Sequence, residues 1–425
     1  MEGNLALISL IALIIAIIVS VTTSLNIGTL AMGLALVVGN YIGGTKISEI
    51  IKGYPTSLFI LLAGVTYLFA IANVNGTLEK ITRYAIKAVR GNVALLPIVF
   101  FFLAFGISSM GPGQITTSAL MAAPAMLLAE EVGMSPLLMA LVVGNGAQAG
   151  AMSPLAPPGL ITAELVGKMG ITGVIGTLWF NMFIVHFTVA VIAYFLFGGL
   201  KLLRVKDHGQ RTTLLAMKIE PFDRAQILTM VGITILIIGS LTMKKFDLGL
   251  NAFLIGAVLS LLKAADEGKA IKSMPWGTII MVTGVTMLIQ LMSTLGGTEL
   301  FAKMISSVST PYTVTAVAGF LSGIISVYAS TTGVILPAFI PLAPILLAKV
   351  GAPATDLMPL LSSIIVCGFI VDLSPLSTTG AVFLANAGAK ADKTKLFRDM
   401  LIWGLSMSVV GAFISWLAFT VLRLP

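Results

Sequence analysis

Asp372 is the residue around which chemistry can be built. It lies in an apolar stretch, Cys367-Gly368-Phe369-Ile370-Val371-Asp372-Leu373-Ser374-Pro375-Leu376-Ser377-Thr378-Thr379-Gly380. A carboxylate deep in hydrocarbon is costly enough to be a functional hypothesis by default. Beside unwound carbonyls an ionised carboxylate binds a monovalent cation, and an unpaired one takes up a proton; the structural alternative is a side chain that caps the Ser374-Pro375 turn. A second stretch, Gly144-Asn145-Gly146-Ala147-Gln148-Ala149-Gly150-Ala151-Met152-Ser153-Pro154-Leu155-Ala156-Pro157-Pro158-Gly159, carries the same Ser-Pro-Leu core. Proline removes a backbone donor and clashes with the preceding turn, so both stretches are expected to unwind for several residues. Freed carbonyls and hydroxyls suit a small hard cation, and N–H groups at half-helix N-termini suit an anion. One such motif alone reads as a kink in a packed helix, whereas two in register point to a binding site. Asn145 and Gln148, one turn apart at the first break, serve equally well as ligands or as interhelical hydrogen bonds. His186, alone on an apolar span, reads as a hydrogen-bonded packing residue. Glu130, Glu131, Glu164, Glu299 and Asp356 fall near the ends of predicted spans and read as solvated.

The elements that must position these residues follow from composition. Of 425 residues 57% are apolar and 10% are charged, which excludes a soluble fold. The formal net charge of +8 belongs with membrane-flanking loops rather than nucleic acid. One cysteine and two histidines leave neither an intrachain disulfide nor a metal cluster to assemble. Apolar segments predict spans over 4–21, 25–43, 55–74, 134–166, 173–200, 226–243, 248–263, 276–295, 356–388 and 400–422. The first is expected to be retained, because no basic n-region or cleavage site accompanies it. Residues 92–130 and 312–349 are interrupted by the polar tips Ser108-Ser109-Met110-Gly111-Pro112-Gly113-Gln114 and Tyr328-Ala329-Ser330-Thr331-Thr332-Gly333, so each is expected to be a re-entrant hairpin.

Landmarks repeat at a constant separation: Lys52 and Lys272, Pro55 and Pro275, Gly64 and Gly284, Glu79 and Glu299, Gly113 and Gly333, Pro124 and Pro344. Ser153-Pro154-Leu155 and Ser374-Pro375-Leu376 follow one residue out of that register. The series predicts an all-α polytopic membrane protein of two repeats, 1–200 and 225–425, joined by a basic cytoplasmic linker at 201–224. Five spans plus a hairpin in each repeat force the second to be inverted. With both termini outside, the basic residues of the inner segments outnumber the others about two to one.

At these residues the sequence resembles the ion transporter superfamily that includes the divalent-anion:sodium symporters, and most closely its malonate and dicarboxylate carrier branch. The likeness rests on Gly146-Ala147-Gln148-Ala149-Gly150 with Ser153-Pro154, and on Val371 to Ala381 running into Ala385-Asn386-Ala387. The resemblance implies an inner (cytoplasmic) membrane of a bacterial or archaeal cell, a homodimer built on scaffold domains, and an elevator-like movement. It implies substrate between two Ser-Asn-Thr hairpin tips, with sodium beside each tip and its broken helix. Here the tips read Ser109-Met110-Gly111 and Ser330-Thr331-Thr332, without the Asn. The substrate contacts expected on this basis are Ser109, Gly111, Gly113, Ser330, Thr331, Thr332, Pro154 and Pro375. The expected cation ligands are Ser108, Asn145, Gln148, Ser153, Asp372, Ser374, Ser377 and Thr378, with sodium or a proton as coupling ion and no other cofactor.

The leading reading is a secondary transporter of a small dicarboxylate. Transport of an inorganic oxyanion and sodium/proton exchange are alternatives within the same superfamily. The chain has no Gly-x-x-x-x-Gly-Lys-Ser/Thr motif to suggest drive by ATP. An intramembrane hydrolase would need a base or a second carboxylate beside Asp372, and none is evident; a channel is a third possibility, separable by weakly saturable currents.

Overall fold

The computed structural model describes residues 2–23, 25–88, 93–202, 220–243, 246–388 and 390–424, and among these the regular elements are all helical. The first half runs α1 (Glu2–Thr22), α2 (Ile27–Leu36), α3 (Ile47–Lys52), α4 (Thr56–Val74), α5 (Thr77–Ala88), α6 (Leu96–Ser109), α7 (Gly113–Glu131), α8 (Pro136–Gly150), α9 (Pro157–Lys168) and α10 (Ile175–Leu196). The second runs α11 (Arg224–Thr242), α12 (Leu248–Leu261), α13 (Glu267–Ser273), α14 (Trp276–Thr294), α15 (Gly297–Ser306), α16 (Val314–Ser326), α17 in the three pieces Thr331–Ile335, Leu336–Phe339 and Ala343–Val350, α18 (Leu357–Ile370), α19 (Thr378–Ala385) and α20 (Lys393–Ser415). Among the described residues α11 to α20 thus answer α1 to α10 in order. Most of the expected linker, 203–219, lies outside the described residues.

Short polar side chains set the starts of several helices. At α11 the Asp223 carboxylate accepts from the Gln226 N–H (2.9 Å), and the Gln226 Oε1 accepts from the Asp223 N–H (3.1 Å), closing a capping box. Asp247, Asp266 and Asp392 cap α12, α13 and α20 in the simpler one-sided way.

By length and composition α4, α10, α14 and the run Lys393–Val421 can each cross a membrane, and α17, bent by 45° at its middle, makes a fifth candidate. Of the other expected crossings, 4–21 and 226–243 fall on the single apolar helices α1 and α11, and the rest fall on shorter apolar helices or on pairs divided by a break. Turns at Gly43-Gly44, at the two Ser-Pro sites and at the hairpin tips end several of these helices before they reach about twenty residues.

The two halves interlock. α2 packs on α14, and α4 packs on α12. At both crossings glycines meet backbone. A side chain added at Gly284 would fall on the Gly28 backbone, and one at Gly64 on the Gly249 backbone. Small residues at such crossings let two backbones approach, which is how apolar helices gain contact in lipid. The hairpins and breaks form a second body, in which α6 and α7 pack on α8 while α16 packs on α18 and α20.

Of the acidic residues expected to be solvated, Asp356 is not, and Glu130 is half-buried. Asp356 is buried and pairs with Arg423, and Glu130 accepts from the Lys390 N–H at 2.8 Å. In both cases a chain segment distant in sequence folds over the span end. His186 is buried with Nδ1 2.8 Å from the Asn145 Oδ1, a packing role.

Candidate functional site

Both long apolar stretches break at Ser-Pro. α8 stops at Gly150 and α9 restarts at Pro157; α18 stops at Ile370 and α19 restarts at Thr378. The gaps carry the same backbone bonds. The Gly159 N–H donates to the Ala151 carbonyl (3.2 Å) and the Gly380 N–H to the Asp372 carbonyl (3.1 Å). The hydroxyls of Ser153 and Ser374 accept from the N–H two residues on, Leu155 and Leu376, each at 3.3 Å. Freed backbone groups are thus partly satisfied locally.

The tips approach each other. The Gln114 Nε2, at the start of α7, donates to the Thr332 Oγ1, in α17, at 3.0 Å. Each tip also rests on one of the interlocked helices: Gly111 lies against the Phe69 ring of α4, and Gly333 against the Met281 sulfur of α14. Gly111 has φ +139°, a conformation that L side chains rarely adopt, so both its backbone and its space require glycine.

At the second break the polar groups converge. The Ser326 hydroxyl lies 3.1 Å from the Asp372 Oδ1 and is hydrogen-bonded to the Thr331 hydroxyl, which donates to the Gly368 carbonyl at 2.8 Å. The Ser377 hydroxyl donates to the Asp372 carbonyl. Asp372 is only 7% exposed, and no basic side chain pairs with it among the described residues. A cavity of about 150 Å³ opens beside it, lined by Gln114, Tyr328, Ser330, Ser377, Thr378 and Thr379 among others, none of them basic. Larger cavities lie at the foot of the first hairpin and beside the end of α20, away from Asp372.

The first break differs. Its cavity is about 30 Å³ and is lined by Pro112, Gln114, Pro157, Pro158, Pro275 and Thr332 among others. Ser153 donates to the Ser109 carbonyl at 2.6 Å. The hydroxyls of Ser108 and Ser109 and both polar atoms of Gln148 are buried without a hydrogen-bond partner, which leaves them available to water or an ion. At the second break Ser330, Asp372, Ser377 and Thr378 reach one cavity, with Thr331 in the hydroxyl cluster behind it. Asn145 is elsewhere, its side chain used by His186 and by the Leu141 carbonyl. Pro154 is exposed, while Pro375 and Ser374 are buried behind the cavity wall. Gly113 packs on the Pro157 ring. Ser326, Gln114 and Thr379 are additions that the sequence reading lacked. Gln114 stood in the quoted tip motif without a role, and Ser326, inside an apolar helix, gave no signal of its own.

No curated protein matches the chain. The apolar helices are those of an integral membrane protein. Residues 2–151 match the family model described as dicarboxylate carrier protein MatC N-terminus, which supports a malonate/dicarboxylate carrier-type family.

Proposed function

We propose that the protein is a secondary carrier of a small dicarboxylate, driven by a cation gradient. The observation that carries this reading is the cavity at the second break, where neutral donors for an anion and an unpaired carboxylate share one space. On the anion side, α19 begins at the cavity with Thr378 and Thr379, whose first-turn N–H groups carry the positive end of the helix. α9 begins with Pro157 and Pro158, which have no N–H to offer. The substrate therefore docks at the second break, against Ser330 and the start of α19, with Gln114 of the first tip on the cavity wall.

The cation side rests on proton accounting. Two hydroxyl protons, on Ser326 and Thr331, serve four contacts: Thr331 to the Gly368 carbonyl, and Ser326 to Thr331, to Asp372 and, at 3.5 Å, to the Ala329 carbonyl. A carbonyl accepts only, so Thr331 donates to the Gly368 carbonyl, and the single Ser326 proton is left to serve both Thr331 and Asp372, which leaves these two oxygens one proton short. Either a proton on the carboxyl or a small cation among these oxygens fills that deficit. A cation bound here also offsets the repulsion between Asp372 and an incoming dianion. Sodium and protons both remain coupling candidates, and the partner-free polar atoms of Ser108, Ser109 and Gln148 offer a second cation position.

The interlocked helices α2, α4, α12 and α14 then act as the fixed frame of a homodimer, and the body of hairpins and breaks as the moving part of an elevator. The matched order of α1–α10 and α11–α20 supports two repeats of inverted topology. Counterflow in liposomes tests the function: preloaded malonate or succinate should draw in labelled dicarboxylate unchanged, with saturation. If none of malonate, succinate, malate or citrate exchanges, with sodium present or at an imposed pH gradient, the reading is wrong.

A further inference from the structure

We infer that Gln114 is an anion-contacting residue that sets specificity by giving up its bond to the opposite hairpin tip; this rests on the proposed dicarboxylate carrier. Gln114 lines both the 150 Å³ cavity at the second break and the 30 Å³ cavity at the first. Its side chain, donating to the Thr332 Oγ1 at 3.0 Å, is thus a partition between the two. The larger space holds roughly ten water-sized positions and the smaller about two or three, so only the former can take a dicarboxylate.

An anion that enters finds no Lys, Arg or His on either cavity wall. The donors within reach are hydroxyls, the first-turn N–H groups of α19, and the Gln114 amide. That amide is the one primary amide among these lining side chains, with two N–H groups on a single nitrogen. A carboxylate is a stronger acceptor than a hydroxyl, because bonds to an ionised acceptor are about twice as strong as neutral ones. The carboxylate therefore displaces Thr332 as the acceptor of the Gln114 N–H. One carboxylate end lies on Gln114 and the other at the start of α19, which favours a molecule with two acid groups over one with a single group. Displacement also parts the two tips, so occupancy and opening of the partition are the same event.

The purified protein, in detergent and in liposomes, tests this with three chains: wild type, Gln114→Leu and Gln114→Glu. Gln114→Leu removes the donor, and the half-saturating malonate or succinate concentration should rise at least about tenfold. Malonate-induced thermal stabilisation should disappear in this variant while stabilisation by the coupling cation persists. A residue that only latches the tips would lower the melting temperature of the substrate-free protein and leave the malonate-induced shift intact, which would overturn the inference. Gln114→Glu, nearly isosteric, guards against misfolding of the first variant. It should bind malonate poorly at pH 7.5 and recover relative to wild type at pH 5, where a protonated acid again donates. A folded Gln114→Glu with wild-type half-saturation at pH 7.5 would also refute it. Wild-type exchange with unchanged variants defeats this inference alone, whereas absence of exchange by wild type defeats the carrier reading and this with it.

Discussion

Asp372→Asn removes one negative charge from the second break and supplies an N–H donor where the Thr331–Ser326–Asp372 contacts lack a proton. Asn has nearly the shape of Asp, and the Ser326 hydroxyl can accept from it, so the variant should fold and remain monodisperse. What it loses, on the proposed function, is the group assigned to take up the coupling cation. A tenfold gradient of one coupling cation is worth about 1.4 kcal/mol, which is a tenfold accumulation of substrate at equilibrium. Removing one cation from the stoichiometry should therefore lower the accumulation ratio by about tenfold per tenfold gradient, while counterflow, which needs no net cation movement, persists. Liposomes with an imposed pH gradient and, separately, an imposed sodium gradient identify the cation. Loss of pH-driven accumulation alone assigns a proton to Asp372. An increased sodium requirement for half-maximal uptake instead assigns sodium, held partly by the remaining oxygens. Wild-type accumulation under both gradients would leave Asp372 only a structural role, as the partner of the Ser326 hydroxyl. Loss of counterflow in a folded variant would equally refute the coupling argument, because exchange itself would then need the carboxylate.

Thr331→Val keeps the shape of the side chain but cuts the hydroxyl link to the Gly368 carbonyl. It should raise the cation concentration for half-maximal uptake about tenfold, from roughly 1–2 kcal/mol of lost bonding, with little loss of folded protein. Gly284→Val forces a side chain onto the Gly28 backbone and should cost about 1–3 kcal/mol or more, read as a lower melting temperature or aggregation on size exclusion; Gly33→Val, where nothing lies within 4 Å, is the control. His186→Leu strands the Asn145 Oδ1 in the core and should cost about 1–3 kcal/mol while leaving the half-saturating substrate concentration unchanged. If instead half-saturation shifts and stability does not, His186 belongs to the transport path.

The sequence made the frame legible wherever a local rule sufficed. Ser153-Pro154 and Ser374-Pro375 announced the two breaks because proline acts on its own turn, and the helices begin and end there as expected. The repeated landmarks foretold the matching order of helices in the two halves. Contacts between distant segments were not legible. Nothing in the spacing of Gly28, Gly64, Gly249 and Gly284 says that α2 crosses α14 while α4 crosses α12. Asp356 looked solvated because its partner Arg423 is far along the chain. Ser326 and Gln114 acquire meaning only from what they face, Asp372 in one case and the opposite tip in the other.

The two breaks share a backbone and differ in chemistry, and that difference bears on the direction in which the site is read. Ala151 and Asp372 occupy equivalent places, each carbonyl accepting from the glycine N–H eight residues on, Gly159 and Gly380. So do Pro157 and Thr378, the first residues of α9 and α19. Because the backbone bonds are the same, the fold of a break does not depend on its charge or on donors at the restart of the helix. The second break has a carboxylate, hydroxyls and N–H groups beside a cavity of about 150 Å³, and the first has two prolines beside one of about 30 Å³. The same backbone frame thus accommodates two different breaks, and on the proposed function the substrate chemistry is concentrated at the second. Placing Thr378-Thr379 at 157–158 should therefore leave the first break folded, and any anion binding gained there would show that the missing donors, rather than the cavity shape alone, make that site silent.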